Sequence, residues 1–196
     1  MSGLKKAIFG GTFDPIHNAH LYVAHKAIRD LNLDSVIFMP SARPPHKLGL
    51  KTTDPYIRYE MVKMAIRGVE KFEVSDYELN QKALSFTYKT LEFFTQLEPD
   101  TEWYFLTGMD CLMDIEKWKN SDKIFELCHF VVYNRTGYDF KNVVQNKYFS
   151  KAIYLHMPIL DISSSQIRED ISNGKNVSNL LPENVNNLIS ELKLYK

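Results

Sequence analysis

The sequence is poor in cysteine and lacks apolar runs longer than a strand. Its two cysteines, Cys111 and Cys128, form no CxxC pair, which favours reduced thiols with a structural role over a disulfide framework. The strand-sized runs argue against a membrane span, and the N-terminal MSGLKKAIFGG has no secretory apolar core. We therefore expect a cytoplasmic protein with no membrane partner.

The sequence also lacks an excess of charge of either sign. With 24 basic and 24 acidic residues, its formal net charge is zero. Proteins that bind long nucleic acids usually present a basic surface, so we expect no nucleic-acid partner. Zero net charge is compatible with binding small charged ligands. A length of 196 residues suits one well-buried core better than two, and we expect residues 1–196 to form a single domain.

Strand-sized apolar segments alternate with segments of helical periodicity. The opening KKAIFGG predicts a strand, and residues 18–31 repeat their apolar side chains at helical spacing. Further strands are predicted in SVIFMP, KFEVSD, EWYFLTG, HFVVYN and KAIYLHM, with helices around residues 57–65, over 85–97, after ISSS and near the C-terminus. This alternation predicts an α/β fold with a doubly wound parallel sheet.

The loop after the first predicted strand, GGTFDPIHNAH, has features of a phosphate site. Ligands of open α/β sheets bind beyond the carboxyl ends of the strands, where this loop is expected. Gly10 and Gly11 permit positive φ and close approach of phosphate oxygens, and the helix expected from about Asn18 presents unpaired N–H groups. The loop matches neither GxGxxG nor GxxxxGK[ST], which argues against an ordinary dehydrogenase or P-loop kinase.

His17 and His20 stand three positions apart at the start of that helix, so both imidazoles can donate to one bound group. Alternatively, one histidine caps the helix and the other lies half exposed at the surface. Zinc is less well supported, because no third ligand stands nearby and no HExxH glutamate is present. We expect no metal held by the protein's own side chains.

Two further stretches are expected at the same edge of the sheet. ARPPHK places His46 and Lys47 on a proline-stiffened loop after the second strand, although a solvent-exposed basic loop without a ligand would have the same composition. ISSSQIR combines hydroxyls, helix N-terminal amides and Arg168, although it could be a capped helix. Together with the two histidines, these donors suit a polyphosphate, and no paired carboxylates or nucleophile triad competes.

GGTFDPIHNAH together with ISSSQIR resembles the nucleotidyltransferase superfamily, whose motifs are (H/T)xGH and ISSTxxR. PPHK, SFTYKTL, GMD and the Trp118 region extend the resemblance over almost the whole chain, toward the bacterial enzymes that adenylylate nicotinate mononucleotide. Two positions depart from the pattern: Ala19 stands where glycine is usual, and Ser165 where threonine is common. Neither departure removes a hydrogen-bond donor.

The resemblance implies a Rossmann-like fold and transfer of AMP from ATP, with Mg²⁺ carried by the triphosphate, to nicotinate mononucleotide. It implies catalytic roles for His17, His20, Lys47 and Arg168. It also implies ATP binding by Gly10, Gly11, Thr12, Phe13, Asp110, Ile162, Ser163 and Ser164, and acceptor binding by Thr87, Trp118, His46 and Arg135. Helix caps for Asp110 and Thr87, and a core position for Trp118, are the structural alternatives.

Other functions stay open at this point. The acceptor could be nicotinamide mononucleotide, phosphopantetheine or glycerol phosphate. The chain could be a nucleotide-binding regulator without catalysis, although its two motif histidines, Lys47 and Arg168 are all present. A metal hydrolase built on the HxxH pair would hold zinc tightly.

Overall fold

The computed structural model describes residues 3–43, 52–81, 84–134 and 146–196. Within these ranges the strands are β1 Lys5–Gly11, β2 Ser35–Pro40, β3 Phe72–Val74, β4 Glu102–Gly108, β5 His129–Tyr133 and β6 Ile153–Leu155. The α-helices are α1 Asn18–Leu31, α2 Pro55–Ala65, α3 Thr87–Leu97, α4 Met109–Asp114, α5 Ser121–Leu127, α6 Ser164–Ser172 and α7 Glu183–Glu191. No helix of the described ranges is long and apolar enough to cross a membrane.

Most predicted elements are confirmed; the differences concern the start of α3 and two short helices. The strand KKAIFGG and the helix over residues 18–31 have the predicted bounds, whereas α3 begins at Thr87 rather than at residue 85. The sequence patterns did not reveal α4 and α5, which have six and seven residues. Helices of two turns or fewer are too short to establish a 3.6-residue period.

The six strands form one sheet in the order β3-β2-β1-β4-β5-β6, and every neighbouring pair is parallel. The predicted doubly wound α/β fold is therefore confirmed. The chain builds outward from β1 to β3 and returns to place β4 on the free side of β1. This reversal of strand order between β1 and β4 opens a crevice at the carboxyl ends of the two strands, where ligands of such sheets bind.

Helices cover both faces of the sheet, so the strand side chains enter two apolar cores. Phe9 and Phe38 face the core formed with α1, α2, α6 and α7. Ile8 and Phe105 face the opposite core, formed with α3, α4 and α5. Because strand side chains alternate between faces and both faces are buried, the strands read as continuous apolar runs.

A buried arginine fixes the loop after β1 to its neighbours. Arg58 of α2 is 1% exposed, and its guanidinium donates to the main-chain oxygens of Thr53, Thr12 and Ser41. These carbonyls belong to the segment before α2, the loop after β1 and the residue that follows β2. Burial lowers the pKa of Arg58, although the nearby Asp14 carboxylate counteracts this. An arginine cannot be deprotonated in practice, so one side chain holds three segments together.

Replacing Arg58 by alanine is expected to lower the free energy of unfolding by about 2–5 kcal/mol, because three main-chain carbonyls lose their donor. The exposed Arg67, just beyond the same helix, provides the control Arg67→Ala, with an expected change within about 0.5 kcal/mol. Urea unfolding followed by circular dichroism measures both. Equal small losses in the two variants would contradict this role of Arg58.

Candidate active site

A cavity of about 320 Å³ opens at the carboxyl ends of β1 and β4. Residues of the loop after β1, the start of α3, the start of α4 and the start of α6 line it. A second cavity of about 250 Å³ adjoins it and shares His20, Tyr133 and Ser163 with it. The two neighbouring cavities, together called the crevice here, lie at the predicted edge of the sheet.

The two glycines at the end of β1 are needed for space. Neither Gly10 nor Gly11 has a positive φ, so that prediction is wrong: both residues still pair with β2, and the left-handed residue is Phe13, at φ 50°. A Cβ atom on Gly10 would lie 2.9 Å from the Phe105 ring, and one on Gly11 would lie 2.8 Å from the Phe13 ring. The glycines therefore let two aromatic rings pack directly against the strand below the cavity.

The two motif histidines lie together at the start of α1. Their rings stack with centroids 3.7 Å apart and an interplanar angle of 25°, and His17 is 4% exposed. The main-chain N–H of His17 donates to Nδ1 of His20 at 3.2 Å. An imidazole nitrogen accepts only when unprotonated, so we assign the proton of neutral His20 to Nε2. Both histidines line the 250 Å³ cavity, and His20 also lines the larger one.

The main-chain amides at the start of α1 are used within the protein. The N–H of Asn18 donates to the Leu180 carbonyl at 2.9 Å, and that of His20 donates to the His17 carbonyl at 2.9 Å. The expectation of unpaired amides is therefore wrong for both residues: the segment before α7 supplies the acceptor for Asn18, and the His17 carbonyl supplies a local one for His20. At this wall of the cavity, the side chains rather than these two amides are placed to meet an anion.

The serine-rich motif ties α6 to the loop after β1. Ser163 is the N-cap of α6 and accepts a main-chain N–H of the helix, while the Ser164 hydroxyl donates to the Pro15 carbonyl at 2.9 Å. Arg168 donates from Nη1 to the Asp14 carbonyl at 2.8 Å. A guanidinium has five N–H donors in a planar fork. Arg168 is thus anchored at one side and lines the 320 Å³ cavity with the rest of the group.

Two of the residues predicted to bind the acceptor, Thr87 and Trp118, lie on the opposite side of the crevice, together with Asp110, which is predicted to bind the ribose of ATP. Thr87 begins α3, Asp110 follows β4 in α4, and both line the 320 Å³ cavity and an adjoining cavity of about 570 Å³. Trp118 lines the same two cavities and meets the Phe105 ring edge to face at 6.4 Å. Trp118 therefore has one side against the core and one side on the crevice.

The structure brings most of the predicted site residues to one crevice. Lining residues of the 250 and 320 Å³ cavities include His17, His20, Gly10, Gly11, Thr12, Phe13, Thr87, Asp110, Trp118, Ile162, Ser163, Ser164 and Arg168. Three further predictions, for His46, Lys47 and Arg135, lie outside the described residues. The roles of all the predicted site residues stay predictions, while the proximity of the described ones is a property of the fold.

Sequence reasoning missed the buried carboxylate of Glu78, which also lines the 320 Å³ cavity. Glu78 is 8% exposed, and its Oε1 accepts the Thr90 hydroxyl at 2.8 Å. Burial raises the pKa of Glu78, while hydrogen bonds from the Thr90 and Ser85 hydroxyls lower it. Glu78 lies in the polar run DYELNQK, whose composition gives no sign of burial.

The two cysteines lie in different environments. The Cys128 thiol donates to the Ile124 carbonyl, and burial raises its pKa, which fits the predicted structural role. Cys111 instead lines the 320 Å³ cavity beside Asp110. Among the described residues, no group of three His, Cys, Asp or Glu side chains is arranged to hold a metal ion.

The parallel sheet and the crevice at its switch point define a Rossmann-like α/β protein. The chain belongs to the cytidylyltransferase-like family, whose family model matches residues 8–170. The superfamily resemblance seen in the two motifs is thereby confirmed.

Relatives within this family are similar over nearly the full chain. A protein of Clostridium kluyveri is 55% identical, with 98% of this chain and 100% of the relative covered. A protein of Clostridium novyi is 50% identical, with 98% of this chain and 99% of the relative covered. Both are named probable nicotinate-nucleotide adenylyltransferase. Among solved structures, nicotinic acid mononucleotide adenylyltransferase of Plasmodium falciparum, complexed with NaAD, shares the fold with a TM-score of 0.82 at 23% identity, covering 98% of this chain and 97% of that one.

The Glu78 carboxylate gives a pH-dependent prediction. Its folded pKa is raised, whereas the unfolded value is about 4.3, so burying its charge costs stability as pH rises through the folded pKa. Glu78→Gln removes this cost. The free energy of unfolding of the variant minus that of the wild type should therefore be larger at pH 8 than at pH 5, as measured by urea unfolding.

Glu98→Gln provides a control of opposite sign. The pKa of Glu98 is lowered: burial raises it, but hydrogen bonds from Lys6 and Thr101 outweigh burial. Here the wild-type carboxylate stabilises the fold above its unfolded pKa, so the variant should lose relative stability between low and neutral pH. A Glu78→Gln difference that is flat with pH, or that falls, would contradict the assignment.

Proposed function

We propose that this chain transfers AMP from MgATP to the 5′-phosphate of nicotinate mononucleotide, giving nicotinate adenine dinucleotide and pyrophosphate in NAD biosynthesis. The observation that carries the proposal is the identity of 48–55% over nearly the full chain to relatives named nicotinate-nucleotide adenylyltransferase. The donor-rich crevice at the switch point of the sheet is in keeping with two phosphorylated substrates.

The chemistry needs alignment and charge stabilisation more than a base. An oxygen of the acceptor phosphate bonds to the α-phosphorus of ATP, and the bond from that phosphorus to the oxygen bridging the β-phosphate breaks. The bonding pair leaves on pyrophosphate. A phosphate monoester has its second pKa near about 6 and is mostly dianionic at neutral pH, so the nucleophile needs no proton removed. Positioned donors that meet the developing charge supply the catalysis.

Each group has a proposed role. His20 donates from Nε2 to the phosphates, and His17 and Arg168 donate with it. Lys47 and His46 add donors from the segment that follows β2. Asp110 binds the ribose of ATP, and the acceptor is held by Thr87, by the backbone around Trp118 and, at its phosphate, by Arg135. Gly10 to Phe13, Ile162, Ser163 and Ser164 complete the ATP site. Mg²⁺ enters as part of the substrate, bound to the triphosphate and water.

We also infer that residues 1–196 form one nucleotidyltransferase domain. A family match over residues 8–170 supports this, as does the packing of α7, which lies beyond the match, against the core shared with α1 and α2. Val185 and Ile189 of α7 are buried there.

The substrate is tested by pyrophosphate release from MgATP with nicotinate mononucleotide, nicotinamide mononucleotide and phosphopantetheine in parallel reactions. We expect the highest kcat/KM with nicotinate mononucleotide and loss of activity when Mg²⁺ is chelated. A preference for another acceptor would replace the proposed substrate. No release with any of the three would favour a binding protein without this activity.

His20→Ala is expected to lower kcat by about a hundredfold or more, as loss of one transition-state donor commonly does. His25, exposed on the same helix and packed beside Phe72, gives the matched control His25→Ala with near wild-type turnover. Circular dichroism should show both variants folded. Wild-type turnover of His20→Ala would refute its catalytic role.

A further inference from the structure

The last residues of the chain are folded back by a specific turn after α7. Leu194 donates its N–H to the Ile189 carbonyl at 3.0 Å, and Lys193 donates to the Ser190 carbonyl. These two bonds, with Lys193 at φ 52°, form a Schellman motif. Tyr195 is also left-handed, at φ 64°. Side-chain-bearing residues seldom adopt this region, so contacts of the tail must compensate for two such residues.

One contact of the tail reaches Asp14 in the loop after β1. The Tyr195 hydroxyl donates to Asp14 Oδ1 at 2.6 Å, and the Thr53 N–H donates to Oδ2 at 3.2 Å. Asp14 is 4% exposed, so nearly all of its hydrogen bonding must come from the protein. Burial and the Asp14 charge both raise the pKa of Tyr195, which keeps the phenol protonated and able to donate at neutral pH.

Asp14 connects the tail to the groups proposed to bind phosphate. Its own carbonyl accepts Nη1 of Arg168 at 2.8 Å, and both residues line the 320 Å³ cavity. A carboxylate at this place repels phosphate if it turns into the cavity, because like charges in a partly desolvated site interact strongly. The Tyr195 and Thr53 donors hold one carboxylate oxygen each and fix the side chain in its present direction.

We propose that Tyr195 is a positioning residue for the transfer reaction, acting through Asp14 to hold the loop after β1 and Arg168 in the geometry that receives the triphosphate. The C-terminal tail is then a working part of the site, although the partners Tyr195 and Asp14 stand 181 positions apart in the chain. This inference rests on the proposed function for its kinetic test, and a binding test is independent of the acceptor.

The test compares Tyr195→Phe with Tyr154→Phe. Tyr154 is a matched control because it is also partly buried and donates a hydrogen bond, to the Phe149 carbonyl at 2.9 Å. It lies on β6 and is not among the residues that line the three cavities. We expect similar small losses of Tm in both variants. Tyr195→Phe should lower kcat about tenfold or more, in line with small misplacements of catalytic groups, and Tyr154→Phe should leave kcat near wild type.

Calorimetric titration with a non-hydrolysable MgATP analogue gives the second readout. Tyr195→Phe should weaken this affinity about two- to tenfold, the equivalent of one hydrogen bond, and Tyr154→Phe should not. If wild-type protein binds the analogue but does not use nicotinate mononucleotide, the proposed function fails, and the affinity comparison still decides the role of Tyr195.

A double-variant cycle tests the route through Asp14. If Tyr195 acts through that carboxylate, Tyr195→Phe should cost little further kcat or affinity in an Asp14→Asn background. Multiplied losses in the double variant would show that the two residues act independently and would overturn the route. Equal effects of Tyr195→Phe and Tyr154→Phe on both readouts would overturn the positioning role itself.

Discussion

The parallel pairing of β1 with β2 on one side and β4 on the other determines where everything else in this protein can act. Because strand order reverses at β1, the connections after β1 and β4 separate and leave a crevice between them. Gly10, at the end of β1, can lie there only because it has no Cβ to meet the Phe105 ring. The fold thus creates an opening at one strand end and keeps its floor tightly packed.

The loop that borders this crevice is held by side chains from several distant segments. Arg58, Ser164 and Arg168 each donate to main-chain carbonyls of residues 12–15, and Tyr195 donates to the Asp14 side chain. Such fixation suits a reaction that depends on donors already aimed at the phosphates, because pre-set donors need no rearrangement as charge develops. Because the acceptor phosphate is already ionised, the proposed chemistry needs such positioned donors rather than a base.

The sequence predicts the sheet well because both of its faces are buried, which turns each strand into a continuous apolar run such as SVIFMP. It predicts the histidine pair and ISSSQIR as neighbours because parallel strands end at one edge. It does not reveal Arg58, whose partners are main-chain carbonyls of three segments, nor the Asp14–Tyr195 contact between the two ends of the chain. The glycine prediction failed because β1 extends through Gly11, which moves the turn to Phe13.

A crystal structure of this chain with nicotinate adenine dinucleotide is the most direct test that one crevice receives both substrates. We expect the diphosphate bridge within hydrogen-bond distance of His20 Nε2 and the Arg168 guanidinium, with adenine beside Ile162 and the pyridine ring beside Trp118. Binding of the dinucleotide elsewhere on the molecule, or in this crevice with His20 and Arg168 turned away from the phosphates, would contradict it.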